Sequence, residues 1–191
     1  MPRQVYLFDR PARFVTGTVG QPGDRTFFLQ ASDGARVVSV SLEKAQVAVL
    51  ADRMDELLGE VVQAAPAVPS VVPLTSPADE VAAVDDTDPL DTPVEEEFRV
   101  GAMGLAWDSD EQTVVVEAVA AGEEPVGEDT ILSDTEDGPD ALRVRITPAS
   151  ARAFIARARR VIAAGRPPCP LCALPLDPGG HVCPRQNGYR R

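Results

Sequence analysis

FVTGTVG, residues Phe14–Gly20, returns as FRVGAMG, residues Phe98–Gly104. Each copy of Phe-x-x-Gly-x-x-Gly leads into a strand-like run, Thr26-Phe27-Phe28-Leu29-Gln30-Ala31 in the first case and Thr113-Val114-Val115-Val116-Glu117-Ala118 in the second. A short alternating stretch follows each run, Arg36–Ser41 and Leu142–Thr147. Alternation sends Val38 and Val40, or Val144 and Ile146, to one buried face. A helix then follows each time. The first is expected over Leu42–Val62 with Ser41 as N-cap, and Val49, Leu50, Met54, Leu57, Leu58 and Val61 recur at helical spacing. The second is expected over Pro148–Ala164 with Thr147 as N-cap. Pro148 sits at the first helical position, where a missing N–H costs nothing. Its apolar stripe is Phe154, Ile155, Ala158, Val161 and Ile162, with Arg152, Arg157, Arg159 and Arg160 on the other faces. Gly165 and Pro167-Pro168 end it.

Strand-strand-strand-helix, twice over, predicts an α+β fold of two similar units packed pseudo-symmetrically about a twofold, an internal duplication. The separation of matched positions grows from 84 residues at the glycine motifs to 106 at the helix caps, which a longer acidic loop in the second unit explains. The units are placed at residues 1–63 and 97–166. Residues 64–96 between them are expected to form a disordered acidic linker, since Ala64–Asp91 carries five prolines, many small residues and no hydrophobic period. The acidic stretch 122–140 is read as a mobile loop within the second unit, and residues 167–191 as a metal-binding tail. Val5-Tyr6-Leu7-Phe8 can add an edge strand, Gly20–Asp24 is a strand-to-strand turn, and Trp107-Asp108-Ser109-Asp110 is read as a hairpin turn. The motif glycines are read as bulges or close strand contacts. They lack the following helix N-terminus that a phosphate cradle needs.

The chain has 191 residues, 44% of them apolar but only 5% aromatic, with a formal charge of −12. The charge is polarised: residues 1–63 carry −1, residues 64–140 carry −20 and residues 141–191 carry +9. The acidic middle and basic end are expected to attract each other, or the basic end to meet an acidic or phosphate-bearing partner. No apolar run approaches the ~20 residues of a membrane span. No secretory signal pattern opens the sequence, and three cysteines do not make a disulfide framework. A cytoplasmic protein is expected.

All three cysteines and the one histidine fall within 15 residues: Cys169-Pro-Leu-Cys172, then His181-Val-Cys183. Zinc takes four such ligands in a tetrahedron, and closed Cys3His sites are structural. Cys-x-x-Cys presents two thiolates from one tight turn, and ligands two residues apart in an extended segment point the same way. A structural Zn(2+) site is therefore expected at Cys169, Cys172, His181 and Cys183. A Cys169–Cys172 redox pair lacks a surrounding βαβ context. A catalytic zinc lacks an open position and a nearby glutamate base. Iron shares the ligand types. No catalytic residues are assigned. There is no P-loop, and with the histidine in the metal set no base remains for a serine or cysteine nucleophile.

The run from Phe14 to Ala31, the run Phe98–Asp108, and the ending from Cys169 through His181-Val-Cys183-Pro-Arg185 to Asn187-Gly188-Tyr189-Arg190-Arg191 resemble an actinobacterial family of conserved proteins with a domain of unknown function and a C-terminal Cys3His cluster. That resemblance covers nearly the whole chain apart from the linker. It implies a cytoplasmic actinobacterial protein, encoded near a kinase-like protein, and brings no activity, substrate or catalytic residue.

The leading functional expectation is a non-enzymatic interaction protein with a structural zinc site, more in keeping with the motifs than an enzyme. Its partner is expected to be a protein, a kinase-like one by the resemblance, met through Arg185, Tyr189, Arg190 and Arg191. One alternative is a nucleic-acid or nucleotide-binding protein using the Arg-rich second helix and the zinc tail. Another is an enzyme of unrecognised type with its site between the two halves.

Overall fold

The computed structural model describes residues 3–21, 23–64, 86–122, 127, 131–133, 137–165, 169–172 and 181–185. Among them lie seven strands and two helices. In chain order these are β1 (Val5–Asp9), β2 (Arg13–Gln21), β3 (Asp24–Asp33), β4 (Arg36–Leu42), α1 (Lys44–Ala64), β5 (Glu96–Asp108), β6 (Thr113–Ala120), β7 (Ala141–Ile146) and α2 (Pro148–Ala163). All strands join one sheet in the order β1-β7-β6-β5-β4-β3-β2.

That order forces the sheet to curl. Its two edges, β1 and β2, are joined by residues 10–12 alone. Four Cα steps reach at most ~15 Å, whereas seven flat strands would be ~29 Å wide. Contacts across the curve agree. The Tyr6 and Phe98 rings, on β1 and β5, are 6.4 Å apart. Arg36 at the start of β4 donates to the Leu7 carbonyl on β1 at 2.9 Å and lies 4.4 Å from the Phe8 ring centroid.

Both strand-strand-strand-helix runs are present, as β2-β3-β4-α1 and β5-β6-β7-α2. The central β4–β5 pair is parallel, and the two helices pack on each other over one core. The units stand side by side, in tandem. Parallel β5 extends the first unit and parallel β1 extends the second in the same way.

Alternation places the core as expected. Leu29, Val38, Val40, Val116, Val144 and Ile146 face the helices and are buried. The helix limits differ. Ser41 remains inside β4, and the first turn of α1 is closed by Gln46, whose Oε1 accepts from the Glu43 N–H at 2.8 Å. A glutamine at N3 reaching back to the cap N–H is half of a capping box. Val49 is 55% exposed while Val47 is fully buried, so the apolar stripe of α1 is rotated from the expected one. The Thr147 cap is present, its Oγ1 accepting from the Ser150 N–H at 3.2 Å.

The face of the sheet turned away from the helices is covered by two segments. Much of the expected linker, residues 65–85, lies outside the described residues. From Asp86 onward the chain docks: Leu90 is buried with Val15 and Phe28, and Val94 packs beside them. In the second unit Ile131, Leu132 and Ser133 cover β5 and β6. The motif glycines make both approaches possible. A Cβ on Gly17 would sit 2.6 Å from Leu90, and one on Gly104 would collide with Ile131. Gly101 lies where the β5–β6 register shifts, hard against Ala121.

Candidate metal centre

Cys169 and Cys172 stand on a tight turn after α2, and His181 and Cys183 on a short segment without regular structure. Their ligand atoms all lie within 4.8 Å of one another. Cys169 Sγ is 3.9 Å from Cys183 Sγ, and Cys172 Sγ is 3.2 Å from His181 Nε2. With Zn–S bonds of ~2.3 Å the edge of a sulfur tetrahedron is ~3.8 Å, so this donor set fits one zinc-sized ion. Cys169 and Cys183 are buried, and the other two are half-buried. The Leu171 N–H, 3.4 Å from Cys169 Sγ, holds that thiol below its ordinary value; burial opposes it, and the Cys172 amide adds to the lowering. The four expected ligands are therefore brought together, and they can hold a metal ion.

Of the expected partner-contact residues, Arg185 is exposed one turn beyond Cys183. Tyr189, Arg190 and Arg191 lie outside the described residues.

Two polar centres were not foreseen. Arg157, expected on an outer face of α2, is only 6% exposed. Its Nε donates to the Thr16 carbonyl on β2 at 2.7 Å, and its Nη1 to Asp86 Oδ1 at 2.7 Å. Arg13 grips the same carboxylate at 2.6 and 3.0 Å. Hydrogen bonding from Arg13, aided by the charges of Arg157 and Arg13, holds Asp86 below the usual carboxylate range against the opposing effect of burial. Burial pushes the Arg157 guanidinium down, and Asp86 partly restores it. The second centre is Glu117, fully buried in β6 and held by Arg3 and Arg143. In both, a base meets an acid of the strongly negative 64–140 stretch, as the charge polarity suggested. For Glu117 the missed signal was a charged residue inside the apolar run Thr113–Ala118.

A curled α+β sheet backed by two helices and followed by a Cys3His centre defines the class. The chain belongs to the family described as Protein of unknown function (DUF3090), which matches residues 6–183. No curated protein and no solved structure matches the chain. No helix among the described residues is long and apolar enough to cross a membrane.

Proposed function

We propose that the protein is a non-enzymatic interaction protein whose tail is folded by a structural zinc ion. The convergence of four soft ligand atoms within 4.8 Å carries this reading. Three thiolates and one imidazole complete a tetrahedron, leaving no open position for substrate or water. The ion would cross-link Cys169 and Cys172 to His181 and Cys183, supplying cohesion that a 25-residue tail cannot draw from its own core. Thiolate ligands also suit a reducing, cytoplasmic compartment. The zinc-folded tail then presents Arg185, Tyr189, Arg190 and Arg191 to an acidic protein partner, a kinase-like protein being the one the resemblance implies. We further read the two tandem units as an internal duplication, because the glycine motif and the buried polar residue recur in both.

Elemental analysis of anaerobically purified protein should find about one zinc per chain, and no bound metal would overturn the reading. Cys172→Ala should lose the metal and disorder the tail while the sheet keeps its circular dichroism. Metal should leave as pH falls, because the ligating thiolates must take up protons. A truncation after Pro184 keeps all four ligands and removes the contact residues. If pull-downs with the truncated and full-length chains recover the same proteins, the tail is not the contact.

A further inference from the structure

Phe28 and Val115 are each the third residue of their run, Thr26–Ala31 or Thr113–Ala118. In the first unit the space over that position is filled, because Phe28, Val15 and Leu90 bury one another. In the second unit the smaller Val115 leaves an open cavity of about 380 Å³. Ala106 and Asp108 of β5, Val115 of β6, and Arg143 and Arg145 of β7 line it, with Leu132 at its side. The register puts these strand residues on one face. Ala106, Val115 and Arg145 form a row across three strands, and Asp108 and Arg143 stand in the rows on either side. Val114, Val116, Val144 and Ile146 alternate with them and enter the helix-side core. The two arginines differ. Arg143 is committed to Glu117 and to the Ser133 carbonyl, at 2.5 and 2.7 Å. Arg145 is half-buried, and its side chain makes no hydrogen bond or ion pair among the described residues. Its neighbour in register on β1 is Asp9, and Asp108 shares the cavity, yet it pairs with neither. Its Nε is buried without an acceptor. In the adjoining row Thr113, 1% exposed, also carries a buried hydroxyl with no partner among the described residues. Buried polar atoms are rarely left unmet, and two on one face beside a cavity point to a ligand.

We propose that this cavity binds a small organic molecule bearing one carboxylate, with Arg145 as the group that recognises it. The flat fork of a guanidinium matches the two oxygens of a carboxylate. The terminal nitrogens of Arg145 meet the ligand first, and a turn of the guanidinium towards it gives Nε its acceptor. Ala106, Val115 and Leu132 supply apolar surface for the body of the molecule, the usual construction of a small-molecule site with few polar groups. Asp9 and Asp108 limit the charge the ligand can carry. Both lie on the face of Arg145, so a second negative charge is repelled at close range. A monoanion therefore suits the site better than a phosphate dianion does.

Three probes with the same apolar ring and different heads test this on the full chain: cyclohexanecarboxylate, cyclohexylmethanol and cyclohexyl phosphate. Saturation-transfer NMR titrations at constant ionic strength compare their affinities. The carboxylate should bind about tenfold more tightly than the alcohol, the gain of one charge-assisted bond, and more tightly than the phosphate ester. Arg145→Gln should lower the affinity of the carboxylate to that of the alcohol and leave the alcohol unchanged. A merely structural role for Arg145 would move both probes together. Val115→Phe should fill the cavity as Phe28 fills its counterpart, abolishing binding of all three probes while thermal unfolding stays cooperative. The assignment is overturned if the alcohol binds as tightly as the carboxylate, or if the phosphate ester binds more tightly. A preference for the carboxylate that survives Arg145→Gln, or binding that survives Val115→Phe, overturns it equally.

Discussion

Gln30 and Glu117 occupy matched positions, each the fifth residue of its run, Thr26–Ala31 or Thr113–Ala118. Both are buried in the sheet on the face turned from the helices, and both fasten the segment that covers it. Gln30 accepts the Asp91 N–H at 2.8 Å and donates to the Asp91 carbonyl and to Ser39 Oγ, each at 3.0 Å. Glu117 accepts the Leu132 N–H at 3.1 Å and is held by Arg3 at 2.7 Å and Arg143 at 2.5 Å. The amide satisfies itself with neutral neighbours because it carries both a donor and acceptors. The carboxylate has only acceptors and a charge, so it needs cations, here one from the start of the chain and one from β7. One slot in a strand thus serves the same docking purpose by two chemistries, and the charged version ties together residues 3, 117, 133 and 143, since both arginines also donate to the Ser133 carbonyl.

Removing the charged anchor should have the largest effect. Glu117→Ala leaves two arginines in a buried site without their counter-charge, and should cost about 3–5 kcal/mol in denaturant unfolding. Gln30→Ala leaves backbone groups of Asp91 and the Ser39 hydroxyl unmet, and should cost about 1–3 kcal/mol. Equal losses would mean that charge does not distinguish the two anchors. Gln30→Glu sharpens the contrast. Among the described residues Gln30 makes no hydrogen bond to an arginine, so a carboxylate buried there should have a raised folded-state pKa, and the variant should regain stability as pH falls through that raised value.

The two helix starts make a smaller comparison. Thr147→Ala removes a cap hydroxyl that accepts a backbone N–H and should cost about 1 kcal/mol. Ser41→Ala removes no cap and should cost less. Thermal unfolding of the two variants side by side checks this.

The smallest expected effect is at Asp86, whose carboxyl is about a quarter exposed. Its pKa is held down in the folded state, so its contribution is present above the unfolded value of ~3.9 and is lost as pH falls through the lower folded value. Discounted for solvent screening, that contribution should be below about 1 kcal/mol. Asp86→Asn should flatten this part of the acid unfolding curve and cost less at pH 7 than Glu117→Ala, because Arg157 keeps the carbonyls of Thr16, Asp86 and Asp88. An unaltered acid limb would show that Arg13 and Arg157 gain nothing from its charge.

The sequence by itself determined the order of strands and helices, the Thr147 cap, the hairpin at Asp108–Asp110 and the four metal-ligand candidates. These depend on short-range rules: alternation, cap chemistry, and ligand spacing within 15 residues. Asp108 illustrates the point, since its Oδ1 accepts the N–H groups of Asp110 and Glu111, its near neighbours. Tertiary structure alone decided the rest. The parallel pairing of β4 with β5 is one such feature, because neither strand's composition records the direction in which it will run. Residues 86–95, read as linker from their acids and prolines, dock because Arg13, Arg157 and Gln30 supply partners from 60 or more residues away. Arg157 is buried because a cation can enter the interior where an acid and a backbone carbonyl already wait, and no local pattern around residue 157 records that they do.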